Sequence, residues 1–318
     1  MPMHRAGLPA STLRAVRAPM AIVATAVLLM SACGGDDGGG GSSGTIRSDG
    51  SSTVGPLMQA AAERFQSENE GARVTVGVSG TGGGFERFCR GETDISNASR
   101  PIEDDEKQVC SGQGIEFLEL PVANDALTVV VNRENDWADC LTVEQLKTIW
   151  KPGSNVDSWK DVDPSFADES MKLYGPGTDS GTFDYFTEEI NGEEGASRTD
   201  YSASEDDNVI VRGVEGDAGA LGYFGFTYFE ENEDTLKALE IDGGGGCVAP
   251  SAESAQSGEY KPLARPLFIY VKKASLERPE VMDFVEFIFD NSGEIADSAR
   301  FIPATEDQIA EARSALAG

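Results

Sequence analysis

The chain has 318 residues and is strongly acidic, with 55 Asp and Glu against 25 Lys and Arg and a formal net charge of −30. Such a charge repels nucleic acid and anionic membrane surfaces, so we expect no nucleic-acid partner. The only histidine, His4, lies in the N-terminal segment. Its position excludes Ser-His-Asp catalysis, Cys-His catalysis and imidazole metal ligands in the rest of the chain. We therefore expect neither an enzyme nor a metal or cofactor site.

The N-terminal segment has the pattern of an export signal. Arg5, Arg14 and Arg17 precede an uncharged apolar run at 20–30, which is followed by Ser-Ala-Cys33. A basic region, a short apolar region and small residues are typical of a signal peptide, and the run is too short to span a bilayer. Residues 29–33, LMSAC, resemble the lipobox of bacterial lipoproteins. We predict a signal peptide at 1–32, lipidation at Cys33, and an extracytoplasmic domain anchored to the bacterial cell membrane.

The chain after Cys33 begins with a flexible segment and continues with alternating strands and helices. Residues 33–44 are nearly all Gly, Ser and Asp, which predicts a tether without a core. Strands are predicted near 45–47, 73–78 and 93–95, and each ends in small polar residues. An apolar face at three- and four-residue spacing predicts a helix after the first strand; it is formed by Val54, Leu57, Met58, Ala61 and Phe65. The alternation predicts an α/β fold with mainly parallel sheets.

Two apolar runs, 120–132 and 265–272, are interpreted as strands that cross between lobes. Helices are predicted between them at 142–150 and 182–190, and after them at 279–290. Thr305 and Gln308 have the spacing of a capping box that opens a last helix. The chain thus reads as lobe I at 45–122 and 266–318, with lobe II inserted at 123–265. A two-strand hinge would let the lobes close on a ligand.

Four cysteines remain after Cys33, and an even number in an exported chain suggests two disulfides. Four cysteines allow three pairings. We favour Cys89–Cys110 and Cys140–Cys247, because each pair then lies within one lobe. No Cys-x-x-Cys spacing is present, which argues against zinc.

Three Ser/Thr/Gly turns, at 50–54, 79–84 and 177–183, occur where a strand ends and a helix begins. Helix N-termini offer free backbone N–H groups and hydroxyls can donate, so such turns suit anions. Each turn alone could be an ordinary helix cap, but three from both sides of a cleft favour an oxyanion site. The second turn lacks the Gly-Lys-Ser/Thr of a P-loop. Arg100 is the candidate cation, or else a surface arginine; Lys172 and Arg212 are weaker candidates.

The motifs DGSSTVGPLMQAAAERF, GVSGTGGGFERFCRGETDISNASRPI, LTVEQLKTIW, YGPGTDSGTFDYF and GALGYFGFTYF cover much of the chain. Together they resemble the phosphate-binding subunit of bacterial high-affinity phosphate ABC transporters, over nearly all of residues 45–318. The resemblance implies a type II periplasmic-binding-protein fold whose lobes close on dehydrated phosphate. It also implies an ABC transporter permease as partner. We expect a monomer.

The resemblance also implies the phosphate ligands, which match the family motifs at Ser52, Thr53, the Val54 amide, Thr81, Ser99, Arg100, Ser180, Gly181 and Thr182. Some members place an arginine shortly before the third turn, where Pro176 stands here, and Arg100 replaces it. Better-known members carry an aspartate near Ser99 that accepts the phosphate proton and rejects sulfate. Asp179 is our first candidate for that acceptor and Asp49 the second, although either could be a turn or cap carboxylate.

Three other functions remain open at this point. A related protein could bind another oxyanion such as sulfate, molybdate or tungstate. A secreted phosphatase could use similar anion-binding turns, although the lack of histidine and of a metal cluster disfavours it. A lipid-anchored sensor could bind phosphate without feeding a transporter.

Overall fold

The computed structural model describes residues 44–318, in which strands and helices alternate as predicted. The predicted signal peptide, the Cys33 lipid site and all of the tether except Gly44 lie outside these residues. The strands are β1 Gly44–Gly50, β2 Ala72–Val76, β3 Ile95–Ala98, β4 Phe117–Asn132, β5 Cys140–Thr142, β6 Lys172–Pro176, β7 Ser202–Ser204, β8 Ala220–Gly225, β9 Leu236–Ala238, β10 Glu240–Asp242, β11 Cys247–Val248, β12 Ala264–Lys272 and β13 Ile302–Pro303.

The predicted helices are present, except that the one expected at 182–190 ends early, at Phe186. The helices are α1 Gly55–Glu68, α2 Thr81–Cys89, α3 Asp104–Gly112, α4 Val143–Trp150, α5 Trp159–Val162, α6 Gly181–Phe186, α7 Asp207–Glu215, α8 Phe226–Glu231, α9 Ala252–Gln256, α10 Lys273–Leu276, α11 Pro279–Asp290, α12 Ser292–Ser298 and α13 Glu306–Ala317. Between residues 44 and 318, none of them combines the length and the apolar composition that crossing a bilayer requires.

The main sheet combines parallel outer parts with an antiparallel centre. Its strand order is β2-β1-β3-β12-β4-β8-β6-β7, with β9 and β13 also paired to β4. Strand β1 runs parallel to β2 and β3, and β6 runs parallel to β7 and β8. A small second sheet has the order β11-β10-β5. The α/β prediction is confirmed, and the parallel strands are separated by two long antiparallel ones.

Strands β4 and β12 are the two predicted crossing strands, and they form the centre of the sheet. They pair antiparallel from Ala264 opposite Ala126 to Lys272 opposite Phe117. The C-terminal part of β12 also pairs with β3, and the C-terminal part of β4 pairs with β8. Both strands are buried along most of their length, which explains their nearly continuous apolar sequence.

The two largest hydrophobic cores within residues 44–318 flank the middle of the crossing strands. One core lies under α1 and α11 and includes Val122, Ala123 and Leu267. The other includes Leu127 and Leu263 and is rich in aromatic rings. The boundary between these two cores therefore falls between residues 123 and 127 on β4 and between residues 263 and 267 at the start of β12. The exact lobe boundaries at 122/123 and 265/266 stay a prediction.

Both predicted disulfides are present. Cys89–Cys110 joins the end of α2 to α3, and Cys140–Cys247 joins β5 to β11 in the small sheet. Each bond thus links two elements of the same predicted lobe. The second bond closes a sequence separation of 107 residues, against 21 for the first.

The helix ends follow their local chemistry, with one departure from prediction. The Thr305 hydroxyl accepts a bond of 3.1 Å from the Gln308 N–H, and the Gln308 side chain accepts one of 2.8 Å from the Thr305 N–H, as the capping box predicts. The helix expected at 182–190 instead stops at Phe186 and continues as a π-helical turn, Thr187–Asn191. The Thr187 hydroxyl donates to the Phe183 carbonyl and accepts from the Gly195 N–H, which competes with regular helical bonding.

Candidate functional site

A cavity of about 610 Å³ lies where the crossing strands meet the ends of β1, β2 and β3. Its wall comes from residues far apart in sequence: Ser51, Ser52 and Thr53 after β1; Ser79, Gly80, Thr81, Gly82 and Gly83 after β2; Ser99, Arg100, Pro101 and Glu103 after β3; Gly181, Asp184, Tyr185, Glu188, Glu189 and Glu194 from α6 onward; and Arg265 and Pro266 on β12. All three predicted turns thus contribute to one concave site.

Backbone bonds hold the first two turns against the end of β3. The Ser51 N–H donates to the Asn97 carbonyl at 2.9 Å, and the Ser79 N–H donates to the Gly50 carbonyl at 3.1 Å. Gly50 has φ +145°, and a side chain there would place its Cβ 2.1 Å from the Asn97 oxygen. Only glycine permits this close approach. The turn after β1 is therefore locked between its two neighbours.

The first turn presents two hydroxyls to the cavity. Ser52 and Thr53 line the wall as predicted. Val54 is fully buried and lies off the wall, and its N–H points to the Ser51 hydroxyl at 3.4 Å. The Val54 amide, predicted to contact the anion, is thus occupied within the turn in this conformation.

The second turn and the segment after β3 meet through their side chains. The Thr81 hydroxyl oxygen accepts a bond of 3.3 Å from the Ser99 N–H and lies 3.1 Å from the Ser99 hydroxyl. Both hydroxyls line the wall. Because Thr81 accepts from the Ser99 backbone, its own proton is free to be donated to Ser99 or to an anion.

The third turn touches the site mainly through Gly181. A side chain at Gly181 would place its Cβ 3.0 Å from the Thr53 hydroxyl, so the first and third turns lie almost in contact. Ser180 caps α6 by accepting a 3.2 Å bond from the Thr182 N–H, and neither residue lines the wall. Asp179 is exposed and also lies off the wall. Of the third-turn residues predicted to bind, the structure brings Gly181 to the cavity.

Arg100 lines the cavity but is already paired. Its two Nη atoms each donate a 2.9 Å bond to Glu106, and Nη1 also donates to the Pro101 carbonyl. Glu103 lies 3.3 Å from its Nε. The hydrogen bonds to Glu106 raise the pKa of the guanidinium, which keeps it charged. These bonds hold Arg100 in place at the wall and leave few of its donors for an anion.

Several carboxylates also line the cavity. Glu103 is one, and Asp184, Glu188, Glu189 and Glu194 follow along α6 and the π-helical turn. Burial and the neighbouring Glu194 raise the pKa of Asp184, and burial and Glu188 raise the pKa of Glu189. A group with a raised pKa holds its proton to a higher pH than a fully exposed carboxyl does.

Asp49, the second predicted acceptor, has a different position. It is buried, accepts a 2.7 Å bond from the Ser79 hydroxyl, and pairs with Arg87 at 2.7 Å. It does not appear on the cavity wall formed by residues 44–318. Its contacts instead tie the first turn to the second. Lys172, a weaker candidate cation, pairs with Asp217 at the surface.

Arg265 is a wall residue that the sequence interpretation did not include in the site. Its side chain is 14% exposed and donates through Nη2 to the Thr53 hydroxyl at 3.1 Å. The sequence interpretation treated it only as the first residue of a crossing strand. An arginine at the start of a predicted hinge strand is itself a signal, because the hinge forms the floor of the cleft.

The fold and this site define an α/β solute-binding protein. The profile of the PBP superfamily domain matches residues 36–292. The chain is 48% identical to the protein SphX of Synechococcus elongatus over 260 residues, which is 81% of this chain and 77% of SphX. It is 40% identical to the phosphate-binding protein PstS of Staphylococcus saprophyticus over 275 residues, 86% of this chain and 84% of PstS. The chain belongs to the PBP superfamily, in the family that contains SphX and PstS.

Solved structures agree with this assignment. A possible phosphate binding protein from Planctomyces limnophilus superposes with a TM-score of 0.83 at 46% identity, covering 87% of this chain and 98% of that one. An ABC-type phosphate transport receptor from Vibrio cholerae superposes with a TM-score of 0.65 at 21% identity, covering 81% and 99%, and supports the fold alone. The predicted periplasmic-binding-protein fold and the family resemblance are confirmed.

Proposed function

We propose that this chain binds inorganic phosphate reversibly in the cavity and delivers it to an ABC transporter permease for import. The observation that carries the proposal is the convergence of hydroxyls from separate turns on one wall, with two arginines beside them. The PstS relative that is 40% identical to this chain is named a phosphate-binding protein. No bond is made or broken in this function, so the protein acts as a carrier and not as an enzyme.

The proposed ligands are neutral donors with a fixed cation. Ser52, Thr53, Thr81 and Ser99 provide hydroxyls, and Arg100 provides charge. Dipoles at hydrogen-bond range can hold an oxyanion even though the chain is acidic and five carboxylates line the same cavity, because hydrogen bonds act directly on the oxygen atoms of the anion. Val54, Ser180 and Thr182 would join this set only if the turns rearranged around the ligand.

We propose that closure around phosphate is a rotation of lobe I relative to lobe II. Within residues 44–318 and with the proposed boundaries, the chain passes between lobe I and lobe II only at β4 and β12, and the cavity lies beside these strands. A small rotation at these strands would bring Gly181 and Thr53 closer or farther apart. The bound anion would then be enclosed by groups from both lobes.

The cellular setting is also a proposal. Residues 1–32 would be removed on export, and Cys33 would carry the lipid that holds a monomer at the outer side of the cell membrane. If so, Cys33→Ala should release the protein from the membrane fraction into the medium without changing its phosphate affinity. Retention of the variant in the membrane fraction would argue against the anchor.

The direct test is calorimetric titration with phosphate, followed by competition with sulfate and molybdate. We expect Arg100→Ala to weaken phosphate binding by about tenfold or more, since removing one partner of a charged contact costs a few kcal/mol. Lys172→Ala is the control, because Lys172 is exposed and lies off the wall. An Arg100→Ala variant that binds phosphate as tightly as the wild type would show that Arg100 is not a phosphate ligand. Ready displacement of phosphate by equimolar sulfate would reject phosphate as the specific ligand.

The proton acceptor is proposed to be either Asp179 or Asp184. Asp179 lies in the third turn, before α6, whereas Asp184 lies on the wall in the first turn of α6. Replacing the acceptor carboxylate with an uncharged amide should reduce its repulsion of sulfate, which has no proton to share at neutral pH. We expect Asp184→Asn to reduce the preference for phosphate over sulfate more than it reduces phosphate affinity, and Asp179→Asn to do less. The reverse order would return the role to Asp179, and unchanged selectivity in both would reject both.

Transport is tested in cells. Loss of phosphate uptake on deletion, restored by the intact gene, supports delivery to a permease. Normal uptake together with high-affinity binding by the purified protein would instead indicate a sensor.

A further inference from the structure

Arg265 occupies a distinctive position at the floor of the cavity. It lies on crossing strand β12 directly opposite Asp125 on crossing strand β4. Its Nε lies 3.4 Å from the Asp125 carboxylate, and its Nη2 donates to the Thr53 hydroxyl at 3.1 Å. Its guanidinium also stacks on the Tyr185 ring, 3.5 Å from the ring centroid. The side chain therefore contacts the first turn, the other crossing strand and α6 at once.

We propose that Arg265 is a second anion-binding cation, held in place by Asp125, and that it orients the Thr53 hydroxyl as a donor toward the ligand. This inference rests on the proposed function of phosphate binding and specifies how that site is built. It adds a cation on β12 to Arg100, which follows β3 on the same cavity wall.

The polarity of the Thr53 hydroxyl follows from the donor chemistry of arginine. A guanidinium can only donate hydrogen bonds. In its contact with Arg265, the Thr53 oxygen must therefore be the acceptor. The Thr53 proton remains available, and Thr53 lines the cavity. Arg265 thus favours the hydroxyl rotamer that donates to an acceptor oxygen, and a phosphate oxygen without a proton is such an acceptor.

Arg265 also retains donors of its own. Its bonds to Asp125 and Thr53 use two of the five N–H groups of a guanidinium. Within residues 44–318, its Nη1 makes no hydrogen bond, although the residue lines the wall. By contrast, Nη1 of Arg100 already donates to both Glu106 and the Pro101 carbonyl. Arg265 is thus the arginine with more donors left for an oxyanion.

Asp125 acts as the positioning residue for Arg265. Its side chain is only 9% exposed, and an isolated carboxylate at such a site is costly. Burial raises the pKa of Asp125, while the charge of Arg265 acts in the opposite direction. The two residues stabilise each other across the hinge. The Tyr185 hydroxyl in turn donates to the Pro262 carbonyl at 2.6 Å, which fixes the ring under the guanidinium.

The first experiment measures phosphate affinity by calorimetry in Arg265→Gln. We expect a loss of about tenfold or more, because a nearly buried cation would leave the site. Arg300→Gln is a matched control: Arg300 also pairs with a carboxylate, Glu231, and stacks on a tyrosine, Tyr228, at 4.5 Å, but it lies off the cavity wall. Its phosphate affinity should stay at the wild-type value. A wild-type affinity in Arg265→Gln would overturn the inference.

A double-mutant cycle tests the orientation of Thr53. Thr53→Val removes the hydroxyl with little change in shape, and we expect it to weaken phosphate binding in the wild-type background. In the Arg265→Gln background, the same change should cost clearly less, because the hydroxyl is no longer oriented. Strictly additive losses would overturn the orienting role. Asp125→Asn should likewise weaken binding in the wild type and have no further effect in Arg265→Gln; additivity there would make Asp125 merely structural.

Arg265→Lys keeps the experiment decisive if Arg265→Gln does not fold, as judged by its melting curve. Lysine retains the charge and the aliphatic contact with Tyr185 but cannot bond Asp125, Thr53 and an anion with one planar fork. We expect phosphate affinity to fall in this variant as well, and an unchanged affinity would overturn the inference. The proposed function fails separately, if the wild-type protein does not bind phosphate at all.

Discussion

Replacing Gly84 with alanine is expected to destabilise the protein at the contact that carries the second anion-binding turn. Gly84 lies in α2, where a Cβ would come 2.5 Å from Gly50 Cα, 3.0 Å from the Ser96 hydroxyl and 3.1 Å from the Asp49 carbonyl. The nearest of these atoms belongs to the backbone, so it cannot move aside as a flexible side chain would. Helix α2 would have to shift by about 1 Å away from β1 to restore normal carbon–carbon contact.

The magnitude follows from two opposing effects. Overpacking of this kind costs about 1–3 kcal/mol, while exchanging glycine for alanine in a helix returns up to about 1 kcal/mol. Because the nearest clash is with the backbone, the overpacking cost should lie at the upper end of its range. We therefore expect a net loss of about 1–2 kcal/mol, which lowers the Tm by roughly 2–8 °C. Because α2 begins at Thr81, the same shift should also weaken phosphate binding.

The assay compares the Tm of Gly84→Ala with that of Gly82→Ala by calorimetry of the oxidised protein. Gly82 lies in the same helix, but a Cβ added there would have the flexible Arg100 side chain as its nearest neighbour, at 3.9 Å. Its replacement should leave the Tm unchanged or raise it. Equal Tm values for the two variants would refute the argument that α2 packs against β1 at glycine distance.

Two further predictions concern stability. Burial raises the pKa of Asp207 to about 6, so the folded protein holds a proton that the unfolded chain releases from about pH 4 upward, and stability falls as the pH rises through this range. Asp207→Asn should therefore stabilise the protein on the order of 1 kcal/mol, with partial exposure limiting the gain, and more at pH 7.5 than at pH 5; denaturant titrations showing the same gain at both pH values would contradict this. Replacing Cys140 and Cys247 by alanine should cost about 5 kcal/mol, and replacing Cys89 and Cys110 about 3 kcal/mol, because the Cys140–Cys247 bond closes the longer loop. Equal losses of unfolding free energy would show that loop length does not decide the difference.

Much of the fold could be predicted because it depends on patterns between near neighbours in sequence. The apolar spacing that includes Leu57 and Phe65 specifies α1, since one helical face must be buried. Thr305 and Gln308 mark the start of the last helix through their own hydrogen bonds. The long apolar run of β4 indicates a strand covered on both faces. The disulfide pairing followed from the predicted lobes.

The site was predicted only in part. The sequence located Ser52, Thr53 and Thr81 on turns, and the structure places all three on the cavity wall. It could not show that Asp179 faces solvent while Asp184, a few residues later, lines the cavity. That difference depends on how α6 is rotated against the crossing strands, which is set by packing between residues distant in sequence.

The sequence by itself therefore determined an α/β fold, two crossing strands and several turns suited to an oxyanion. Only the tertiary structure decided which charges meet there. Arg100 pairs with Glu106, whereas Arg265, which local sequence presents merely as the start of a strand, reaches Thr53 from more than 200 positions away. The physical reason is that periodicity and capping act over a few residues, while the register between β4 and β12 brings Arg265 and Asp125 together across the hinge.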